Sequence, residues 1–336
     1  MTRKGWRLTA LVGWLLVFSS ACACAEETLT LVLNWVPDAE HALFFYAKQQ
    51  GWYRDAGIAL TIDYVAGSPA AIQRAAQETR TLATSDFVAF LREYDKGVAV
   101  SAVMALQPLS PYAIYSTEES GIHAMPDLSG KKVGAQPQDP MRQLFSVLAN
   151  RNGLQPSTVI WVDRSNAGKP DALANGEIDA ALNPFLHNHL NYEATLGART
   201  RVLWWYDLGF AAYGHVLVAN TALLDQSGDV LRRFVAVTQR AWQRCSEKPS
   251  PCLDALLAEH PNLDRAHEEA LWKLTAAKSA KGIAVDAPIG AFDSTRVQRT
   301  LEDVRMAFPR TANTQSNDPT TNAFIDRALK ARPPSQ

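Results

Sequence analysis

From Thr28 to Leu33 the chain alternates and then turns wholly apolar, and Asn34-Trp35-Val36-Pro37-Asp38 stops it. A run of this kind is a strand entering a buried sheet. The next segment has helical period: Ala39 to Gln50 places Ala42, Phe45 and Tyr46 on one face and ends at Gly51, and Ile58 to Val65 is a second strand. This strand–helix–strand order restricts the chain to an α/β architecture with buried parallel strands. Ser68-Pro69 opens the next helix, through about Thr79, with the serine hydroxyl placed as its cap.

The same alternation continues in a second block. Val98 to Met104 and Ala113 to Tyr115 read as strands, and the Pro-rich passage Gln107 to Tyr112 between them reads as a crossing between domains. Asp127 to Gly134 is a turn feeding a short strand, Asp139-Pro140 opens a helix to about Asn152, and Val159 to Val162 is a strand. Lys169 to Asn175 is helical, Ile178 to Leu182 is a buried strand, and Asn183-Pro184 ends it. After Val202–Trp205 and the strand Val216–Ala219 come amphipathic segments at 229–245, 253–260, 264–280 and 295–308, and a short helix is expected from Thr321 to Lys330. The pattern predicts two α/β lobes with a helical C-terminal return. Lobe 1 takes 26–110 plus 208–310, lobe 2 takes 111–207, and 311–336 is a tail. A ligand belongs in the cleft where the strands end, with hinges near Pro108–Pro111 and Tyr206–Phe210.

Charge and cysteines bear on location and partner. The 33 basic and 34 acidic residues of the 336 give a net charge of -1, so no basic surplus exists from which to argue a nucleic-acid partner. A small-molecule ligand is expected. Residues 1–25 read as a signal peptide: Arg3, Lys4 and Arg7, an apolar stretch from Leu8 to Phe18, then Ala23-Cys24-Ala25. The apolar run is too short for a membrane span, so no membrane insertion is expected after cleavage. Acylation of Cys22 or Cys24 as a lipoprotein is the alternative. Cys245 and Cys252 remain, flanking a turn-rich loop, and are placed to close a disulfide in an oxidising compartment. His260 and His267 near them have no metal-ligand spacing, and His187 and His189, too close for one helical face, read as a solvated loop, so no metal site is expected.

No phosphate-binding glycine motif and no nucleophile elbow occurs. Polar and aromatic residues instead stand just after strands: Asn34-Trp35, Ser85-Asp86, Gln136 to Asp139, and Asn183-Pro184-Phe185. An amide offers donors and an acceptor together, which suits the edge of a heteroaromatic ring, while Trp35, Phe185 or Tyr213 can stack on its face. Trp35 as ordinary core, Asn34 as a turn residue and Asp139 as a helix cap are the bland alternatives.

Leu33-Asn34-Trp35-Val36-Pro37 with His41, and Phe45 to Ile58 after it, resemble the opening of the thiamine-pyrimidine-precursor proteins, which include periplasmic binding proteins of ABC importers and a cytosolic fungal synthase. Asp127 to Gly134 and Gly176 to Ala180 resemble later stretches of that family and of its sulfonate-, taurine- and nitrate-binding relatives. The resemblance implies a type II periplasmic binding fold, a periplasmic location, an ABC permease as partner, a monomer and no cofactor, with His41 touching ligand or lining the cleft. The synthase branch has a lysine for pyridoxal phosphate, a histidine four residues on and a cysteine-rich stretch. Alignment puts Ser85, Ala89 and Phe210 to His215 at those places, which goes against an enzyme. The expected ligand is a thiamine pyrimidine precursor, held by Asn34, Trp35, His41, Ser85, Asp86, Gln136, Asp139, Asn183, Phe185 and Tyr213. An anion ligand, with Arg142 as its cation, is the alternative.

Overall fold

A computed structural model describes residues 26–282, 286–308 and 318–331; the expected signal peptide lies outside the described residues. Among the described residues, ten strands form two sheets. The first holds β1 (Glu27–Leu33), β2 (Ile58–Tyr64), β3 (Thr81–Asp86), β4 (Val100–Ala105) and, from much later in the chain, β10 (His215–Asn220), in the order β2-β1-β3-β10-β4. The second holds β5 (Ala113–Thr117), β6 (Lys132–Gly134), β7 (Ile160–Val162), β8 (Ala180–Asn183) and β9 (Thr200–Trp204), in the order β7-β6-β8-β5-β9. In each, three neighbouring strands run parallel and one strand runs antiparallel to both its neighbours: β10 against β3 and β4, β5 against β8 and β9.

The period of two explains how β1 is held. Leu29, Leu31 and Leu33 point into a core shared with the C-terminal helices, while Val32 points to the opposite face, into a second core that continues through Tyr112 and Trp205 to Met141 and Phe145 beneath the other sheet. The chain passes between sheets twice, over 106–112 and 205–214. Where these passages run side by side Gly214 donates to the Gln107 carbonyl at 3.0 Å, and a Cβ there would stand 2.8 Å from the Leu109 oxygen. Only glycine fits so close an approach.

The helices Gly228–Glu247 and Pro249–Glu259 pack on Ala42–Gln49 of the first unit. Helix Ser294–Ala307 straddles both: Asp303 pairs with Arg151 of helix Pro140–Arg151 at 2.5 Å, and Arg305 pairs with Asp95 of helix Phe87–Asp95 at 2.8 Å. Three expectations need correction. Thr321 to Lys330 is not a helix: Thr321 donates to the Ala102 carbonyl at 2.9 Å and Ala102 donates to Pro319 at 3.0 Å, so this segment satisfies the open edge of β4. The Ser68 hydroxyl does not cap its helix; it accepts from the Asp86 N–H and from the Asn34 amide. The segment that Cys245 and Cys252 flank is not a turn-rich loop: both cysteines stand on helices that abut at Lys248, with sulfurs 1.99 Å apart and Cα atoms 5.8 Å apart.

Candidate functional site

Strands that run parallel end together, so the turns after them converge. The turns after β1 and β3 and those after β6, β7 and β8 face each other across a cavity of about 360 Å³. Asn34, Trp35, His41, Asp86, Gln136, Asp139 and Phe185 line it, as expected.

Two of these are exposed aromatics. Trp35 and Phe185, 43% and 40% accessible, come from opposite sheets, with ring centroids 6.5 Å apart and planes 20° from parallel. His187 lies nearly parallel to both. A flat ring between two others needs roughly 7 Å, twice a carbon contact distance, so a small parting of the cleft admits one.

Beneath the rings is a network that holds the first wall. The Thr84 hydroxyl donates to the Asn34 side-chain oxygen at 2.7 Å and accepts from the Asn34 N–H at 2.9 Å; the Asn34 amide donates to Ser68 at 3.1 Å. Asn34 is thus largely committed inside the protein and shapes the wall. Asp86 likewise accepts from the Ala89 N–H at 2.9 Å and from the Tyr112 hydroxyl at 3.2 Å. On the far wall Asp139 caps its helix through the Met141 N–H at 2.9 Å and faces the fully buried Lys169 at 3.4 Å; both the cap reading and the cleft reading of Asp139 therefore hold.

The floor is ionisable. Asp38 stands 2.9 Å from Nδ1 of His41. Burial alone would raise the Asp38 carboxyl and lower the His41 ring, but each charge outweighs that penalty for the other, so the acid sits below its ordinary value and the base above it. Glu40, which accepts from the Gln107 amide, is pushed up to about 7 by burial and by the charge of Asp38. His215 is pushed down to about 4 by burial and by its neighbour His41, and burial also lowers His187. Near neutral pH this floor therefore holds two neutral imidazoles, His215 and His187, beside the Asp38–His41 pair and a Glu40 carboxyl close to its midpoint.

Three expected site residues lie elsewhere. Ser85 is fully buried and donates to the Asp86 carbonyl. Asn183 donates to the Phe185 carbonyl at 2.7 Å and accepts from Asn188 at 3.1 Å, so it shapes the turn that presents Phe185. The Tyr213 hydroxyl accepts from the Asp293 N–H at 2.7 Å, with its ring against Phe87, Phe292 and Arg296. Arg142 is also displaced: it covers Trp161 and donates to the Ala135 carbonyl, while the arginine that lines the cavity is Arg92, its guanidinium over the Phe308 ring. His187 lines the cavity, and His189 bonds the Tyr115 hydroxyl at 2.7 Å, so neither is a solvated loop residue. Sequence reasoning missed Glu40, Arg92, Tyr112 and His215. His215 arrives by antiparallel pairing with Asp86 across β10 and β3, and no local pattern announces that.

Two sheets with facing strand ends and a ligand-sized cavity between them define a periplasmic-binding-protein fold. The solved periplasmic aliphatic sulphonate binding protein SsuA of Escherichia coli has it, with a TM-score of 0.65 at 16% identity over 83% of this chain and 86% of that one. Residues 38–251 match the family described as NMT1/THI5 like, and the chain belongs to that family. It is similar to the formylaminopyrimidine-binding protein of Halalkalibacterium halodurans, 24% identical over 74% of this chain and 76% of the relative. It is also similar to the 4-amino-5-hydroxymethyl-2-methylpyrimidine phosphate synthase of Legionella pneumophila, 22% identical over 72% and 77%.

Proposed function

We propose that this protein is the periplasmic substrate-binding component of an ABC importer and closes its lobes on a small planar nitrogen heterocycle of the thiamine-pyrimidine class. No bond is changed; the ligand is captured and passed to a permease. The observation that carries this reading is the pairing of Trp35 and Phe185 across the cleft, above a floor of acceptors. Stacking on two faces favours a flat ring, and the free oxygen of Glu40 together with the Gln136 amide suits a ring edge bearing both an amino donor and a nitrogen acceptor. Since the rings come from different lobes, they are engaged together only in the closed state, and the ligand shifts the population toward it.

The name of the Halalkalibacterium relative supports a pyrimidine; the name of the Legionella relative points to synthesis instead. Against synthesis here, Ser85, aligned with the synthase lysine, is a buried residue without an amine and does not line the cavity. An anion would look to Arg92, but its guanidinium lies over the Phe308 ring, while Asp38, Glu40, Asp86 and Asp139 share the cavity walls. That balance favours a ligand rich in donors over a sulfonate.

A thermal-shift screen followed by calorimetry tests this, using formylaminopyrimidine and aminopyrimidine precursors, thiamine, taurine, an alkanesulfonate, nitrate and pyridoxal phosphate. A pyrimidine at 100 times its Kd should add about 2.7 kcal/mol of stability. Trp35→Ala and Phe185→Ala should each weaken it about tenfold, the worth of one stacked face. A response to sulfonate or nitrate alone overturns the ligand class, and a response to pyridoxal phosphate alone overturns the binding-protein assignment.

A further inference from the structure

Beneath the stacking rings, the floor of the cavity also gathers a donor set from both lobes. We propose that Asp38, Glu40 and His187 form a site for a divalent first-row transition-metal ion, Zn²⁺ being the type case, which bridges the two lobes. One potential ligand atom from each of these side chains lies within 4.8 Å of the others. An ion at about 2.0–2.2 Å from each would bring them slightly closer together, a movement within the reach of side-chain rotation. Two carboxylates and an imidazole are a donor set that suits such ions, whereas calcium takes six or more oxygens.

Two further observations bear on the site. Asp38 and Glu40 have no lysine or arginine ion pair among the described residues: the first pairs only with His41 and the second accepts from the neutral Gln107 amide. On the same wall His41, only 3% exposed, leaves its Nε2 with no hydrogen-bond partner. A buried polar atom without a partner is uncommon, and a water held on the ion is an acceptor that would satisfy it.

The location gives the ion a job. Asp38 and Glu40 stand in the turn after β1, and His187 in the turn after β8 of the other sheet, so an ion held by all three ties the lobes together. Three protein ligands leave a tetrahedral ion one open position, and it would face the cavity. The metal site stands whether or not the cavity takes a pyrimidine; only the use of that open position by a ring nitrogen rests on the reading above.

The purified protein, stripped with EDTA and then dialysed, is titrated with Zn²⁺ by calorimetry and with Co²⁺ by visible absorption. One equivalent should bind, with a d–d band for Co²⁺. Glu40→Gln and His187→Ala should each weaken binding more than about tenfold, as loss of a ligand or even of its supporting partner does, with circular dichroism confirming that both variants fold. His123→Ala, an exposed histidine, should leave it unchanged. No stoichiometric binding, binding untouched by the first two variants, or equal loss in all three overturns the site. Repeating the pyrimidine titration in EDTA separates the two readings, since neither result depends on the other.

Discussion

Thr84 illustrates how a single hydroxyl can hold a wall of the cleft. It is fully buried, serves as donor and acceptor to Asn34 at once, and has no other role. Thr84→Val keeps the shape and removes the hydroxyl, leaving the Asn34 N–H and side-chain oxygen buried without it. The expected cost is about 1–3 kcal/mol, read as a lower urea midpoint at unchanged slope; a change within error would show that Asn34 finds other partners. At this scale the sequence was a fair guide where a residue's meaning is local. Asn34, Trp35, Asp86 and Phe185 stand just past strand ends, and strand ends face clefts. Tyr213 was misplaced because aromaticity alone does not distinguish a stacking platform from a core ring whose hydroxyl meets Asp293. His187 and His215 were opaque for the opposite reason: their surroundings come from the other sheet or from a strand paired across 129 positions, such as Asp86 with His215.

Elements were legible through period and punctuation, and failed where an edge needed a partner. The strand–helix alternation up to Asn183 is written in apolar spacing, and so is the start of helix Pro140–Arg151, with Asp139 before its proline. Spacing did not show that the same Asp139 carboxylate faces Lys169, whose ammonium is fully buried and also donates to the Leu182 carbonyl at 2.6 Å and Asn166 at 2.7 Å. Asp139→Ala therefore removes a cap and strands a buried charge, and about 3–5 kcal/mol of stability should go with it. The double variant with Lys169→Met should recover at least about 1 kcal/mol of that loss, because the ion that lacked a partner is gone. Strict additivity of the two substitutions in denaturant unfolding would sink the coupling. The segment after Asp318 shows the other failure. Its composition permits a helix, yet the unpaired backbone of β4 offers it hydrogen bonds that a short isolated helix lacks.

In the whole molecule the two lobes meet through the passages 106–112 and 205–214, and helix Arg265–Gly282 lies against both. Its Lys278 places its ammonium 3.7 Å from the Trp204 ring and 4.5 Å from the Tyr206 ring, and donates to the Ser110 carbonyl at 3.3 Å, so one side chain touches both passages. Burial pushes its pKa from 10.5 down to about 7; the charges of Glu40 and Asp207 oppose that shift and Lys281 adds to it. Between pH 7 and 10.5 the unfolded chain keeps a proton that the folded protein gives up, so this group makes stability rise with pH across that window, and below pH 7 the folded state bears the full penalty. Lys278→Met removes the penalty and keeps a stem of similar length against the rings. Because the aromatic faces already favour the cation, the gain at pH 7 should be modest, about 1–3 kcal/mol. It should shrink as the pH rises toward 10.5, where the natural side chain is neutral when folded and half neutral when unfolded. Thermal unfolding of both proteins from pH 6 to pH 10 checks this. A variant no more stable at pH 7, or a gap that stays constant with pH, would mean that the ammonium is solvated between the passages and that they are held by packing alone.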